Sequence, residues 1–166
     1  MNAPPRPFTA FNFAVEIYPD GASAPLAKAA FAECDGLEMT FDVKSIKEGG
    51  ANDRVVRVPG QAAYANLTLK RGMTDSFDLW QWAQDTVANP ALRANAEIVL
   101  FAADGATERA RFQLHRCLPV KFKAPALNAK DGQIAIEEFS LAYEKFELVP
   151  GGGGGGAGNA AAGGAP

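Results

Sequence analysis

Cysteine and histidine are scarce in this chain, and there is no excess of basic residues. The two cysteines, Cys34 and Cys117, are far apart and form no C-x-x-C pair. Neither a disulfide framework nor a thiol redox motif is therefore legible, and buried free thiols are expected. His115 is the single histidine. Zinc needs three or four ligands at fitting spacings, and no such cluster is present. A Ser-His-Asp or Cys-His site would have to run through His115, and no third group is visible to orient it. Cys117 shares its strand face without making a dyad, so His115 is read as a structural residue. Lys and Arg number 16 against 19 Asp and Glu, a formal net charge of -3. That lacks the basic stripe a nucleic-acid binder shows. No apolar run approaches the length of a membrane span. The opening MNAPPRPFTAFNF has no apolar stretch after its arginine, so it does not read as a secretory signal. A soluble protein made in the cytoplasm, with no membrane insertion, is expected.

What the chain does have is strand-forming sequence. Its 166 residues suit one domain with a tail. A domain of this size buries roughly two-thirds of its unfolded surface and needs no staples. Phe is frequent, at 11 residues, and favours pleated, half-buried surfaces. From Phe11 the pattern alternates, with Phe11, Phe13, Val15 and Ile17 on one face, and Pro19-Asp20-Gly21 closes the strand. A second strand is read over Ala29 to Cys34. Met39, Phe41 and Val43 alternate next, then Arg54 to Val58, with Pro59-Gly60 as a stop. A Gly49-Gly50 connection between these two arms predicts a long hairpin. Leu67 and Leu69 form a strand that Arg71-Gly72 ends.

One helix follows. Thr74 or Asp75 is expected to cap it. Leu79, Trp80, Ala83 and Val87 form its apolar stripe, broadened by Phe77 and Trp82. Asn89-Pro90 ends it. Both tryptophans are read as core packing. Ile98-Val-Leu-Phe reads as a strand covered on both faces. Two further alternating segments are Ala110 to Leu114 and Val120 to Phe122. In QIAIEEFSLAYEKFEL the apolar phase slips by one residue near Glu137-Glu138. Either a β-bulge there restores one face, or the strand changes partners along its length. Those adjacent acids point to opposite faces and cannot act as a catalytic pair on a regular strand. The inventory is about nine antiparallel strands and one helix, a mainly β barrel or sandwich. Residues 1–149 form the domain. Residues 150–166 are glycine- and alanine-rich and cannot bury enough apolar area to order themselves, so they read as a flexible tail.

The segment KEGGANDRVVRVPG is the most distinctive. A phosphate loop needs G-x-x-x-x-G-K-[ST] ahead of a helix. Here Gly49-Gly50 lead into Ala51-Asn52-Asp53 and then strand-like residues, and Glu48 and Asp53 would repel phosphate. The glycines instead fit the backbone demands of a hairpin tip. The dispersed Lys and Arg residues read as solvated faces, or as charges that pair between subunits.

The ordered set of segments resembles the tail-tube protein family shared by contractile phage tails and phage-tail-like injection systems. It comprises F-x-V-E-I (Phe13 to Ile17), F-A-E-C-D-G-L (Phe31 to Leu37), K-E-G-G-A-N with V-P-G (Lys47 to Gly60), and L-T-L-K-R-G (Leu67 to Gly72). L-W-Q-W (Leu79 to Trp82), L-P-V-K and P-A-L-N-A (Leu118 to Ala129), and I-A-I-E-E-F-S-L-A-Y-E (Ile134 to Glu144) complete it. The resemblance spans residues 8 to 148, and the glycine-alanine tail departs from it. It implies an Hcp-like tail-tube fold and a structural subunit, not an enzyme, without cofactor. Copies would form hexameric rings that stack into a hollow tube for DNA or cargo effectors. Sheath, baseplate, spike and terminator proteins would be partners. The particle would be a phage tail or a phage-tail-like system, including one released from the cell. The expected subunit or ring contacts are Lys47, Glu48, Gly49, Gly50, Asn52, Asp53, Arg54, Arg57, Pro59 and Gly60 on the hairpin, and Lys70, Arg71 and Gly72. Alternative readings are the Hcp-like ring protein of type VI secretion and a small β-barrel ligand-binding module. A deep pocket with convergent polar groups would favour the latter.

Overall fold

A computed structural model describes residues 12–151 apart from residues 30, 48, 51–53 and 131. Phe11, Glu48, Asn52, Asp53 and the tail beyond Gly151 lie outside the described residues. The elements run β1 (Phe13–Pro19), β2 (Ala27–Ala29), β3 (Glu33–Asp35), β4 (Met39–Ile46), β5 (Val56–Tyr64), β6 (Leu67–Gly72), α1 (Asp78–Ala88), β7 (Ala94–Phe101), β8 (Glu108–Lys123), β9 (Ile136–Ala142) and β10 (Lys145–Pro150). The described residues thus hold ten strands, one more than the alternation suggested, and one helix. All the pairings are antiparallel.

The main sheet has the order β2-β1-β7-β8-β9-β6-β3, with β10 also on β8. Its two end strands, β2 and β3, are joined by residues 30–32 alone. Consecutive Cα atoms are about 3.8 Å apart, so Ala29 and Glu33 are separated by at most ~15 Å. The sheet therefore has to curl until its ends nearly meet, which makes a barrel. The single strand expected over Ala29 to Cys34 is these two short ones, because its halves bond to β1 and to β6 at opposite ends of the sheet. Between them Phe31 turns into the core.

β8 is the corner. One of its edges pairs with β7 from Glu108 to Cys117; its other edge changes partner, from β10 at Ala110–His115 to β9 at Leu118–Lys123. At the switch, His115 and Arg116 stand opposite Asn95 alone, and Arg116 has φ 53°. This bulge bends the strand and re-aims it. Asn95 Oδ1 accepts the Arg116 N–H at 3.2 Å, and His115 O accepts the Glu144 N–H at 3.1 Å. The segments expected at Ala110–Leu114 and Val120–Phe122 are one long strand, bent but not broken.

Alternate residues from five strands fill the interior: Val15 and Ile17, Leu67 and Leu69, Ala96 and Ile98, Leu114 and Cys117, Phe139 and Leu141. α1 closes one side of it. Trp82 lies 5.8 Å from Phe139, and Trp80 stacks 3.8 Å from Phe122. The helix starts later than expected. Neither Thr74 nor Asp75 caps it; Thr74 Oγ1 accepts the Ser76 N–H at 3.4 Å, one turn upstream. The Ser76 carbonyl is itself held by Arg71 at 3.1 Å, which delays helical geometry to Asp78. The buried stripe is Leu79 and Trp82. Val87, expected in it, is 84% exposed, and Phe77 is exposed as well.

β6 continues through Arg71-Gly72, and β9 is regular across Glu137-Glu138 in register with it. Neither a bulge nor a change of partner explains the phase slip there. Glu137 faces the interior beside Phe139, and it is Ile134 and Ile136 that face outward, both exposed. β10 runs to Pro150, and the Gly151 N–H donates to Arg109 O at 2.9 Å. Regular pairing thus extends just past Val149.

Candidate assembly interface

β4 and β5 form a separate two-stranded sheet that pairs with no other strand among the described residues. This is the hairpin expected from the Gly-Gly connection, but longer at its base. Pro59-Gly60 does not stop it. Phe41 pairs with Ala62 and Val43 with Pro59, so Gly60 and Gln61 bulge opposite Asp42. A Cβ on Gly60 would sit 2.8 Å from the Asp42 carbonyl oxygen, which accounts for glycine there. Proline fits because a free-standing ribbon needs no N–H at every position for a further strand.

All eight residues of β4 are exposed. Met39, Phe41, Val43 and Ile46 are 43–56% exposed, a large apolar surface for an element with no cover among the described residues. At the tip, Gly50 adopts φ 100° with open space around it, the conformation glycine tolerates. Lys47, Gly49, Arg54, Arg57 and Pro59 are exposed along the arm. At its base Tyr64 packs on Tyr143 and Phe146, with ring centroids 5.6 and 5.7 Å apart. Tyr143 anchors the start of the arm by donating to Gly36 O at 2.9 Å.

The second expected cluster is divided by strand alternation. Lys70 points outward and pairs with Glu33 at 2.7 Å. Arg71 points inward and is 4% exposed. Its guanidinium binds the Glu137 carboxylate and lies over the Phe31 ring at 5.7 Å. The Arg71 side chain is therefore engaged inside its own subunit. A Cβ on Gly72 would meet the Ile134 side chain at ordinary contact distance.

The barrel's outer charges pair largely within the subunit. Lys121 binds Glu138 at 2.6 Å, Arg111 binds Glu97 and Glu108, and Arg116 binds Glu144 at 3.1 Å. Exposed pairs of this kind contribute about 0–1 kcal/mol each. His115 sits at the surface 3.2 Å from Glu147. Burial pushes the Cys117 thiol up to about 12 and Cys34 up to about 11, and both cysteines are free. Among the described residues no three His, Cys, Asp or Glu side chains group as a metal site, and no helix is long and apolar enough to cross a membrane.

An open groove of about 540 Å³ lies between the 124–135 loop and β9, lined by Lys70, Lys123, Leu127, Ile134 and Ile136 among others. Leu127 and Ile134 are 89% and 81% exposed. Sequence reasoning missed this groove and the apolar face of β4. Alternation identifies a face, but nothing in the sequence reports that the face lacks a cover.

The family model of the T4-like virus tail tube protein gp19 matches residues 9–147. A chain from the baseplate of the anti-feeding prophage aligns with TM-score 0.74 at 24% identity, over 90% of this chain and 98% of that one. A chain from the sheath-tube complex of an extracellular contractile injection system, PVC, aligns with TM-score 0.73 at 21% identity, over 87% and 92%. The crystal structure of an Hcp protein aligns more weakly, with TM-score 0.47 at 12% identity over 83% and 98%, and supports no conclusion. No curated protein matches.

Proposed function

The chain belongs to the T4-like virus tail tube protein family, and from that premise we propose that it is the repeating subunit of the inner tube of a contractile tail or injection system. Six copies close into a ring, rings stack into a hollow conduit for DNA or cargo protein, and a contracting sheath drives the tube through a target envelope. The subunit catalyses no reaction and takes no cofactor. It is made in the cytoplasm and meets sheath, baseplate, spike and terminator proteins during assembly. Chains of similar fold come from a sheath-tube complex and from the anti-feeding prophage cap, which supports that set of partners.

The observation that carries this reading is the β4–β5 arm. An isolated two-stranded hairpin is at best marginally stable in water. This one exposes Met39, Phe41, Val43 and Ile46 while the barrel beneath it is fully packed. Such an arm fits an assembly in which other subunits cover it. A heterologous contact closes into a ring when its rotation permits, and rings that stack give a filament. The tube domain is residues 1–149, and deleting Gly151 to Pro166 is expected to leave assembly intact.

Electron microscopy of the purified protein, alone and co-expressed with sheath and terminator proteins, tests the proposal. Hollow stacked rings are expected. A protein that stays monomeric at high concentration in the presence of those partners would refute it.

A further inference from the structure

We propose that the unpaired edge of β8 at residues 120–123, together with the cleft between it and α1, accepts an extended segment of a partner protein whose residues alternate apolar and acidic. The inference goes beyond the tube reading and does not depend on it. β7 begins at Ala94, opposite Cys117. β8 runs on to Lys123, and from Leu118 it pairs with β9 on one side only. In an antiparallel pair every second residue turns its N–H and C=O away from the partner strand. Beyond Cys117 those groups of β8 meet no strand among the described residues.

The cleft beside this edge is what makes it a site. α1 covers the inward side of the stretch, with Trp80 stacked 3.8 Å from Phe122. Between the helix and the edge lies a cleft of about 250 Å³, lined by Ala83, Thr86, Val87, Val120 and Phe122 among others. Val87 and Val120 are 84% and 51% exposed. A strand laid along the edge turns alternate side chains to opposite faces. One set enters the cleft and meets Ala83 and Val87. The other set comes level with Lys121 and Lys123 on the outward face. In strand addition of this kind, main-chain bonds give affinity, and pockets for alternate side chains give selectivity.

The acidic preference follows from register. Across the outward face Glu33 stands opposite Lys70, Lys70 opposite Glu138, and Glu138 opposite Lys123. Charges of opposite sign directly across a ladder attract, and this row alternates in sign until it stops at Lys123. Lys70 binds Glu33 and Lys121 binds Glu138, whereas Lys123 has no carboxylate partner among the described residues. A carboxylate on the incoming strand continues the row. Pro119 and Pro125 bracket the edge, and neither can donate a ladder bond. The window is therefore short. It blocks open-ended sheet growth and admits a segment of a few residues.

The test uses the dilute, isotope-labelled subunit and a soluble model peptide, acetyl-Glu-Val-Glu-Leu-Glu-Val-amide, at millimolar concentration. A model sequence suffices because main-chain bonds carry the affinity. Saturable NMR shifts are expected at the amides of residues 120–123 and 83–87. The same peptide with proline in place of leucine keeps every charge but loses a donor, and it is expected to bind about tenfold more weakly or worse. Lys123→Glu is expected to weaken binding by about tenfold, since it sets like charges opposite each other. Val87→Gln is expected to weaken it by a few-fold. Both residues are exposed, so the thermal transition is expected to match wild type; if Lys123→Glu does not fold, Lys123→Gln is read in the same way. No saturable shift, shifts centred on the arm or on β2, β3 or β10, or equal binding of the proline peptide would overturn the proposal. Shifts at the same amides when the subunit is concentrated without peptide would also overturn it, because the occupant would then be a second copy. Tube formation is read separately, and its absence would overturn the tube reading alone.

Discussion

Arg71 and Glu137 face each other directly across β6 and β9, and their side chains are 4% and 3% exposed. Replacing Glu137 with leucine leaves the Arg71 guanidinium buried without its counter-ion. Removing one partner of a buried pair costs about 3–5 kcal/mol. The whole stability of a domain is roughly 5–15 kcal/mol. For a domain of this length each kcal/mol shifts the melting temperature by about 2–4 °C, so Glu137→Leu is expected to lower it by roughly 6–20 °C. The double variant Arg71→Met with Glu137→Leu removes both charges and recovers most of that loss, because an apolar pair of similar volume needs no desolvation. Recovery is incomplete. Arg71 also donates to the Ser76 carbonyl at 3.1 Å and lies over Phe31, and losing these costs about 1–2 kcal/mol. The assay is urea unfolding of dilute, unassembled protein, followed through Trp80 and Trp82 fluorescence, as a double-mutant cycle. A Glu137→Leu cost below about 1 kcal/mol, or a double variant no more stable than that single one, would show that the pair is not a buried, coupled unit.

Gly36 has φ 101°, and a Cβ there would lie 2.1 Å from the Asn66 carbonyl oxygen. Gly36→Ala is expected to cost about 2–5 kcal/mol from strain and overlap together. Gly105→Ala, at φ 71° with open space around it, is expected to cost about 1–2 kcal/mol; equal losses in thermal denaturation would contradict the close approach. Asp104 is held at about 2 by the Thr107 hydroxyl first, then by the Thr107 and Ala106 N–H groups. Its contribution to stability is thus complete above the ordinary carboxylate value near 3.9 and is lost as pH falls through about 2. Asp104→Asn is expected to remove that acid limb, and an NMR titration midpoint near 4 in the wild type would show that the turn does not form. With both thiols pushed up by burial, Cys34 is expected to react slowly with Ellman's reagent at pH 8, and Cys117 only on unfolding. Rapid labelling of both in folded protein would place Cys117 at the surface.

Legibility in the sequence followed the range of the interaction concerned. β1, β6 and the hairpin declare themselves locally, because Val15 with Ile17 and Leu67 with Leu69 alternate and all four are buried. The break between β2 and β3 is set by which distant strands receive them, and no local residue encodes that. Arg71 and Glu137 read as surface charges one at a time. Only their register across β6 and β9 shows that each makes the other's burial possible, and that the exposed Ile134 and Ile136 belong to the opposite face. Pro59-Gly60 reads as a stop because proline cannot donate and glycine fits turns. In a ribbon with free edges Pro59 stays paired with Val43, and Gly60 enters a bulge with Gln61. The arm was legible as a hairpin, but the lack of cover over its apolar residues was not, since alternation marks a face and says nothing of what lies on it; among the described residues nothing covers them.

That last point bears on what restrains the uncovered arm from stray pairing. The barrel nearly closes on itself, and its end strands β2 and β3 are only three residues each, so it offers few unpaired backbone groups to stray partners. The arm is the opposite, with two free edges and exposed phenylalanine, valine and isoleucine. Three features restrain it. Lys44, Lys47 and Arg57 place exposed charged side chains along it, which blunt its edges against stray pairing. Pro59 removes a donor from β5. The bulge twists the ribbon away from the flat geometry that edge-to-edge stacking needs. What overcomes these restraints is a surface that covers the apolar patches while leaving the lysines in contact with water or carboxylates. An arm that is only marginally stable alone also becomes fully ordered as it is covered, so ordering and association are one equilibrium. Growth at an existing end, where the covering surface is already fixed, is then favoured over pairing of two free subunits.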